Sequence, residues 1–415
     1  MTLLQRAFNW FSTSSPAQRD PGMFWPSAGA ESYTGMRVSH ETALTFSAVF
    51  ACVRLLSFDF ASLPVGVFAR YGPRRYPMPS PPWLKQPNPE LTWFSFAQQA
   101  LTSILLGGDC ICVKQSDNRG VVSELWPLDS RHVVVGRDTK THELEYVLDG
   151  ETLPASQVLH IPGLTIPGYL HGVSVVEYAR QTIGLGLGAE KQAGKQMANA
   201  ATPNVVISVP GKVDDAVQRF VDAFDKRHSG LDNVGRTAAL GGGATVTKLS
   251  MTNDEMQFLE SRHFEVGEVC RWFGVPPHMV GENEKESSWG TGIEQQEIAY
   301  VTHTLRPWLT LFEGAFAPLL RPWAIAQNIS TNIDWYLRFN VNGLLRGDSV
   351  ARAALYDALW RTGAVSPNWI LAKEDEDPYE GGDAHYVQTS YAPVGRDGSL
   401  LVPATGAAPA ASTPK

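Results

Sequence analysis

Residues 273–281 read Phe-Gly-Val-Pro-Pro-His-Met-Val-Gly, and no other stretch constrains the fold so firmly. Pro276 and Pro277 offer no backbone donors and fix φ, so a helix arriving from the N-terminal side must end near Phe273. The chain then crosses a polar stretch, Glu282 to Gly292, before a second long helical pattern opens near Ile293. Such an order of helix, rigid stop, polar loop and helix presents a loop, and it carries no catalytic constellation.

The chain has 415 residues, 43% of them hydrophobic, enough for one large core or two to three modest ones. No apolar run reaches the roughly 18–20 residues of a membrane span, and Met1 to Ser15 lacks the pattern of a signal peptide. Cys52, Cys110, Cys112 and Cys270 show neither metal spacing nor a disulfide framework, which fits a reducing cytosol. A formal charge of -8 argues against a chain built to grip nucleic acid tightly.

Residues 12–40 and 392–415, rich in Ser, Pro, Gly and Ala or in Ala, Pro, Thr and Gly, read as unstructured arms. Between them the patterns predict helices over 45–62, 92–106, 175–200, 213–227, 254–273, 293–320 and 349–373. Strands are expected over 109–114, 121–125, 132–136, 144–148, 157–161, 204–208, 237–240, 245–249 and 332–341, with a Gly241-Gly242-Gly243 turn between two of them. Helices and antiparallel strands mix without βαβ regularity, so the fold class is α+β.

Chemical motifs are missing where an enzyme would need them. There is no Gly-x-x-x-x-Gly-Lys-Ser/Thr phosphate loop. Gly184, Gly186 and Gly188 lie inside a helical pattern and read as close-packing positions. Gly172-Val173-Ser174 lacks the second glycine of a nucleophile elbow and reads as a tight turn. Cys110 and Cys112 read as buried strand residues, and His160 as a strand-end histidine. The expected inventory is no catalytic residue, no metal and no cofactor. Two enzymatic alternatives are a ring-shaped nucleic-acid translocase, which would need a phosphate loop, and a soluble hydrolase, which would need His160 and Ser174 to meet in a pocket.

Two long helices carry opposite charge. Arg180, Lys191 and Lys195 follow spacings of eleven and four, close to one stripe of helix 175–200. On helix 254–273, Leu259, Val266, Cys270 and Phe273 form an apolar seam, with Asp254, Glu255, Glu265 and Glu268 placed around the exposed side. Such helices can pair between subunits, Arg180, Lys191 and Lys195 facing Glu265 and Glu268, or stand as separate solvated amphipathic helices.

From about Ser47 to Gly363 the chain resembles the portal proteins of long-tailed bacteriophages and gene transfer agents. The resemblance is carried by Ser47-Ala48-Val49-Phe50-Ala51-Cys52-Val53-Arg54, Ala61-Ser62-Leu63-Pro64, Asn88-Pro89, Leu105-Leu106-Gly107 and Glu124-Leu125-Trp126-Pro127-Leu128. It continues through Val158-Leu159-His160-Ile161, Asp254 to Arg262, Phe273 to Pro277, Glu294-Gln295-Gln296, Thr304-Leu305-Arg306-Pro307-Trp308 and Leu344-Leu345-Arg346-Gly347-Asp348. Three places depart from the pattern: Asp109 stands where the family usually has Asn, Asn199-Ala200-Ala201 lacks the usual Asn-Gly-Ala, and Pro367-Asn368-Trp369-Ile370 stands where the family often has an Asn-Glu-x-Arg turn.

The resemblance implies a portal architecture assembled as a ring of about twelve subunits at one capsid vertex. Its parts would be an N-terminal arm (1–40), a wing (41–174), a first stem helix (175–200), a small α/β clip (201–252) and a second stem helix (253–273). Turn and channel loop (274–292), long helix and wing strand (293–345), helical crown (346–375) and C-terminal tail (376–415) would follow. The channel loop would carry Glu282, Glu284, Lys285, Glu286, Ser287, Ser288 and Trp289; Trp289 would either wedge against the helix or touch the DNA groove. Arg180, Lys191, Lys195, Glu265 and Glu268 would be the stem contacts between subunits. Implied partners are further copies of the chain, double-stranded DNA passing without sequence specificity, the terminase large subunit, a head-tail adaptor, and the major capsid protein or scaffold. No membrane is implied; the location would be the virion, with the host cytoplasm during assembly.

Overall fold

The computed structural model describes residues 31–72, 74–138, 141–199, 205–208, 245–248, 254–281, 290–327, 334–341, 349–374 and 376–386. Two compact units are present, residues 1–341 and 342–415. The helix, strand and glycine turn expected over 213–227, 237–240 and 241–243 lie outside the described residues.

In the first unit, helix α1 (His40–Thr45) opens on a reciprocal cap between Ser39 and Thr42. Phe46 separates it from α2 (Ser47–Ser62), which buries Val49, Cys52, Val53 and Leu56 along one face. Strands β1 (Val65–Tyr71) and β2 (Arg74–Met78) follow. They were not expected from the sequence, because Gly66 and Ala69 weaken the local strand signal. Their sheet is completed by a distant strand, β11 (Asp334–Phe339), in the antiparallel order β11-β1-β2.

Helix α3 (Trp93–Gly107) starts at Thr92, whose hydroxyl accepts from the Ser95 amide, and stops at Gly108 with φ 87. Gly108 hands the chain to β3 (Asp109–Ser116), the centre of an antiparallel sheet with β4 (Val122–Leu128) and β8 (Val158–Pro162). Strands β5 (Val133–Arg137), β6 (Leu144–Leu148) and β7 (Glu151–Pro154) form a meander beside it. Ile111, Val113, Trp126, Val133, Tyr146 and Val158 share the core between these two sheets. All four cysteines are free and buried, the Cys110 and Cys112 sulfurs 3.7 Å apart.

The helix expected over 175–200 is two helices, α4 (Val175–Tyr178) and α5 (Arg180–Asn199), broken at Ala179 with ψ near 5°. Strands β9 (Val205–Ser208) and β10 (Thr245–Lys248) pair antiparallel. Helix α6 (Asp254–Phe273) has the bounds the sequence marks. The long helix starts earlier than expected and is interrupted: α7 (Gly290–Ala299), a π-turn (Tyr300–Leu305) and α8 (Arg306–Ala326).

Residues 31–40 were expected to be unstructured, yet they are ordered against α5. Glu31 and Arg37 bridge, Thr34 Oγ1 donates to the Gly184 carbonyl at 2.9 Å, and the Tyr33 amide donates to Gln181 Oε1 at 2.8 Å. The glycines expected to permit close approach do so here: a Cβ at Gly184 would lie 2.3 Å from Ser32, and one at Gly186 2.5 Å from the Phe46 ring.

The main core is aromatic. Phe60 lies 4.5 Å from Phe312 and 5.2 Å from Phe339, centroid to centroid, and Trp83 stacks on Phe316 at 5.4 Å. The Phe60, Phe312 and Phe339 rings join α2 to α8 and β11, which lie more than 200 residues later in sequence. Phe316→Ala is expected to cost roughly 3–5 kcal/mol by cavity formation, measured as a lowered urea midpoint with unchanged slope.

In the second unit, α9 (Ser349–Arg361) and α10 (Pro367–Glu374) occupy most of the helical span expected over 349–373. Asn368 ties down the following loop. Its amide donates to the Tyr379 carbonyl at 3.0 Å, and its side-chain oxygen accepts from the Tyr379 amide at 3.1 Å.

Candidate functional site

The proline stop behaves as its residues require. Helix α6 ends at buried Phe273, Gly274 takes φ 69, and the Val275 amide donates back to the Cys270 carbonyl at 2.9 Å. A 3-10 turn over Pro277–Val280 closes on Gly281 with φ 92. Thr304 Oγ1, in the π-turn, donates to the Gly274 carbonyl at 2.6 Å, so the stop is fastened to the long helix. The π-turn is anchored in turn by Tyr300, whose hydroxyl donates to Asp59 Oδ2 at 2.8 Å. Burial pushes both of these groups up, and the hydrogen bond from Tyr300 only partly offsets this for Asp59. Between the fixed ends at Gly281 and Gly290 run Glu282, Glu284, Lys285, Glu286, Ser287, Ser288 and Trp289, which lie outside the described residues.

Helices α5 and α6 pack on each other, and α6 also packs on α2. Trp272 Nε1 donates to Thr182 Oγ1 at 3.4 Å across the first of these contacts. Of the five charged residues marked on these helices, Lys191 and Lys195 are exposed and Arg180 is half-buried, its Nε without a hydrogen-bond partner. Glu265 is not on the exposed side of α6, as its sequence position suggested, but 4% exposed. The reason is that α6 is covered on two sides, so its inward face is wider than one seam. Glu268 forms an ion pair with Arg271 one turn along its own helix. The structure brings none of the five into an ion pair across the two helices among its described contacts.

Upstream of α4, at the junction with the sheets, lies a polar cluster that sequence reasoning missed. Asp109, fully buried, meets His160 Nε2 at 3.0 Å through Oδ1 and His171 Nδ1 at 2.9 Å through Oδ2. Its Oδ1 also accepts from the Gly172 amide at 2.7 Å, and His160 Nδ1 sits 3.2 Å from the Tyr146 hydroxyl. Burial alone would raise the Asp109 carboxyl, but the hydrogen bonds from His160, His171 and Gly172 pull it below its ordinary 3.8. These direct contacts leave no room for an ion between carboxylate and imidazole. The one available signal was Asp109 itself, one of three places where the chain departs from the pattern it otherwise follows.

Ser174 takes no part in that cluster. Its hydroxyl donates to the Leu106 carbonyl and accepts from the Glu177 amide, capping α4. An open cavity of about 490 Å³ adjoins His160, and Ser174 is absent from its wall of described residues. The meeting of His160 with Ser174 that a hydrolase would require is therefore not present.

A sequence model of the family described as phage portal protein matches residues 47–375. The probable portal protein of Streptomyces phage phiC31 is 35% identical over 380 residues, covering 88% of this chain and 81% of that protein. The portal protein of Enterobacteria phage HK97 is 29% identical over 399 residues, covering 94% and 92%. Among solved structures, the neck of a native gene transfer agent particle, computed with C12 symmetry, has a TM-score of 0.54 at 20% identity, covering 85% of this chain and 97% of that one.

Proposed function

Because this chain belongs to the phage portal protein family, we propose that it forms a twelve-membered ring at one capsid vertex. Double-stranded DNA enters and leaves through the ring's channel. The terminase large subunit docks at the clip during packaging, a head-tail adaptor replaces it later, and the capsid protein or a scaffold holds the rim. The ring is a conduit without catalysis of its own, and the packaging ATPase is a separate chain. It belongs to the virion, after assembly in the host cytoplasm.

The observation that carries this reading is the fixed frame around residues 282–289. A helix stopped at Phe273, a glycine-ended turn tied to Thr304 and a helix restarting at Gly290 hold both ends of a polar segment. With Glu282, Glu284 and Glu286 against Lys285, that segment suits a channel in which DNA must slide, because few cations means few phosphate contacts to break. Lys285 and Trp289 are its DNA contacts. In the stem, Lys191 and Lys195 are available on the surface for a neighbouring subunit, whereas Glu265 acts from within its own chain.

Native mass spectrometry and negative-stain imaging of the purified chain test the ring. A particle near twelve times 45.4 kDa with a central hole is expected, and a compact dimer would count against it. Lys285→Glu is expected to leave ring assembly intact while changing DNA retention or packaging several-fold, measured as genome copies protected per particle. Loss of the ring itself would refute the assigned role.

A further inference from the structure

The sheet β11-β1-β2 buries one face and leaves the other toward solvent. Side chains alternate across a strand, so Val67 and Ala69 enter the core while Phe68 and Arg70 point outward. The register puts Tyr336 of β11 opposite Phe68, and Arg75 of β2 opposite Arg70. The Phe68 and Tyr336 rings lie 6.0 Å apart, centroid to centroid. Each ring carries a guanidinium from its diagonal neighbour. Arg75 lies 4.4 Å from the centroid of Phe68, and Arg70 lies 5.6 Å from that of Tyr336.

Like charges directly opposite each other on adjacent strands oppose the pairing. Both arginines are exposed, and neither forms an ion pair or hydrogen bond with another described residue. Asp334, the other cross-strand neighbour of Arg70, is exposed and forms no ion pair with it. Arg338, on the same face, is already paired with Glu313 of α8 at 3.2 Å. Guarding a sheet edge accounts for a cation on the outer strand β2. It does not account for Arg70, which stands on the central strand β1. Stacking on the rings fixes both guanidinium planes and leaves their N–H edges to the solvent, the form in which arginine meets phosphate.

We propose that this sheet face docks the phosphate backbone of duplex DNA through Arg70 and Arg75. The contact is separate from residues 282–289 and goes beyond the ring reading, because both arginines belong to one chain and need no neighbouring copy. An acidic peptide is the poorer occupant. It would hold on by adding a strand or by filling a pocket. Pro77 lies in β2 and is tolerated there with its nitrogen on the solvent side, so the free edge lacks a ladder donor. The cavity beside His160 is lined by residues of other strands. A DNA backbone needs neither device, only fixed cations on an open surface. Two such contacts on a chain of formal charge -8 make a weak hold that salt releases.

The test is binding of the full chain to a short fluorescent duplex, read by anisotropy from about 50 to 200 mM salt. Wild type is compared with Arg70→Gln/Arg75→Gln and with Arg70→Lys/Arg75→Lys. Each lost phosphate contact flattens the log–log salt slope by about 0.9, so the Gln pair should flatten it by about 1.8 or more. The wild-type advantage over the Gln pair should therefore shrink about tenfold across that salt range. The Lys pair keeps both charges and should keep the wild-type slope. Far-UV circular dichroism checks the fold, and if the Gln pair unfolds, Arg75→Gln alone should carry half of the change. Equal slopes for wild type and the Gln pair, or a wild type that does not bind the duplex at 50 mM salt, would overturn the site. Either result leaves the ring reading standing, since the measurement does not depend on assembly. Arginine-dependent binding of poly-glutamate, with duplex binding unaffected by the Gln pair, would assign the face to an acidic protein instead.

Discussion

Asp109→Ala is expected to destabilise the larger unit by about 3–5 kcal/mol, the range seen when one partner of a buried charged network is removed. Against a total of roughly 5–15 kcal/mol, that is about a fifth or more of the stability of a domain. The alanine would leave His160, His171 and the Gly172 amide without their acceptor at a fully buried position. The loss has a pH signature. The folded carboxyl titrates below its ordinary 3.8, so its contribution is complete above the unfolded value and fades as pH falls through the folded one. Urea midpoints of wild type and variant should therefore differ by a constant amount above about pH 5 and converge in stronger acid. A gap independent of pH down to 2 would show that the carboxylate's charge is not what the junction uses.

Gly172→Ala is the second large effect, expected at roughly 3 kcal/mol or more. A Cβ there would lie 2.0 Å from the Gly108 carbonyl oxygen and 2.6 Å from the Gly163 nitrogen. Both obstacles are backbone, and the Gly163 amide already donates to that same Gly108 carbonyl at 2.8 Å. No rotamer change can relieve the contact, so two chain segments must separate, and Gly172 loses its bond to Asp109 as they do. Unlike the loss at Asp109, most of this one is steric and should persist in acid, with only the part owed to the Gly172–Asp109 bond fading. A variant within 1 kcal/mol of wild type by urea unfolding would mean that the crossing is looser than its geometry.

Both predictions concern a junction that the sequence showed only in part, and the contrast with α3 and α6 explains why. The ends of those helices are written in neighbouring residues: Thr92 and Gly108 for one, Pro276 and Pro277 for the other. The junction is assembled from Asp109, His160 and His171, which lie 51 and 62 residues apart, and nothing periodic connects them. Strand β1 was missed for a related reason, since the partner that makes it a strand, β11, arrives more than 250 residues later. Helices α5 and α6 were legible as a pair of long amphipathic helices. The orientation of α6 was not, because Glu265 turns inward only where α2 and α5 both cover α6.

The π-turn at Tyr300–Leu305 gives the long helix a property that neither half has alone. Wider turns carry an additional residue relative to α geometry, and each residue in an α-helix is worth about 100° of rotation and 1.5 Å of rise. The apolar row of α8, set by Leu309, Phe312, Phe316 and Leu320, is therefore out of phase by the time the chain is followed back into α7. There Gln295, Glu297, Ile298 and Ala299 are all exposed. The core row that sets the azimuth of α8 is not continued by these α7 side chains. The helix acts as a shaft with a slipped spline: the row keyed into the core along α8 no longer lines up with the α7 side chains that follow Gly290.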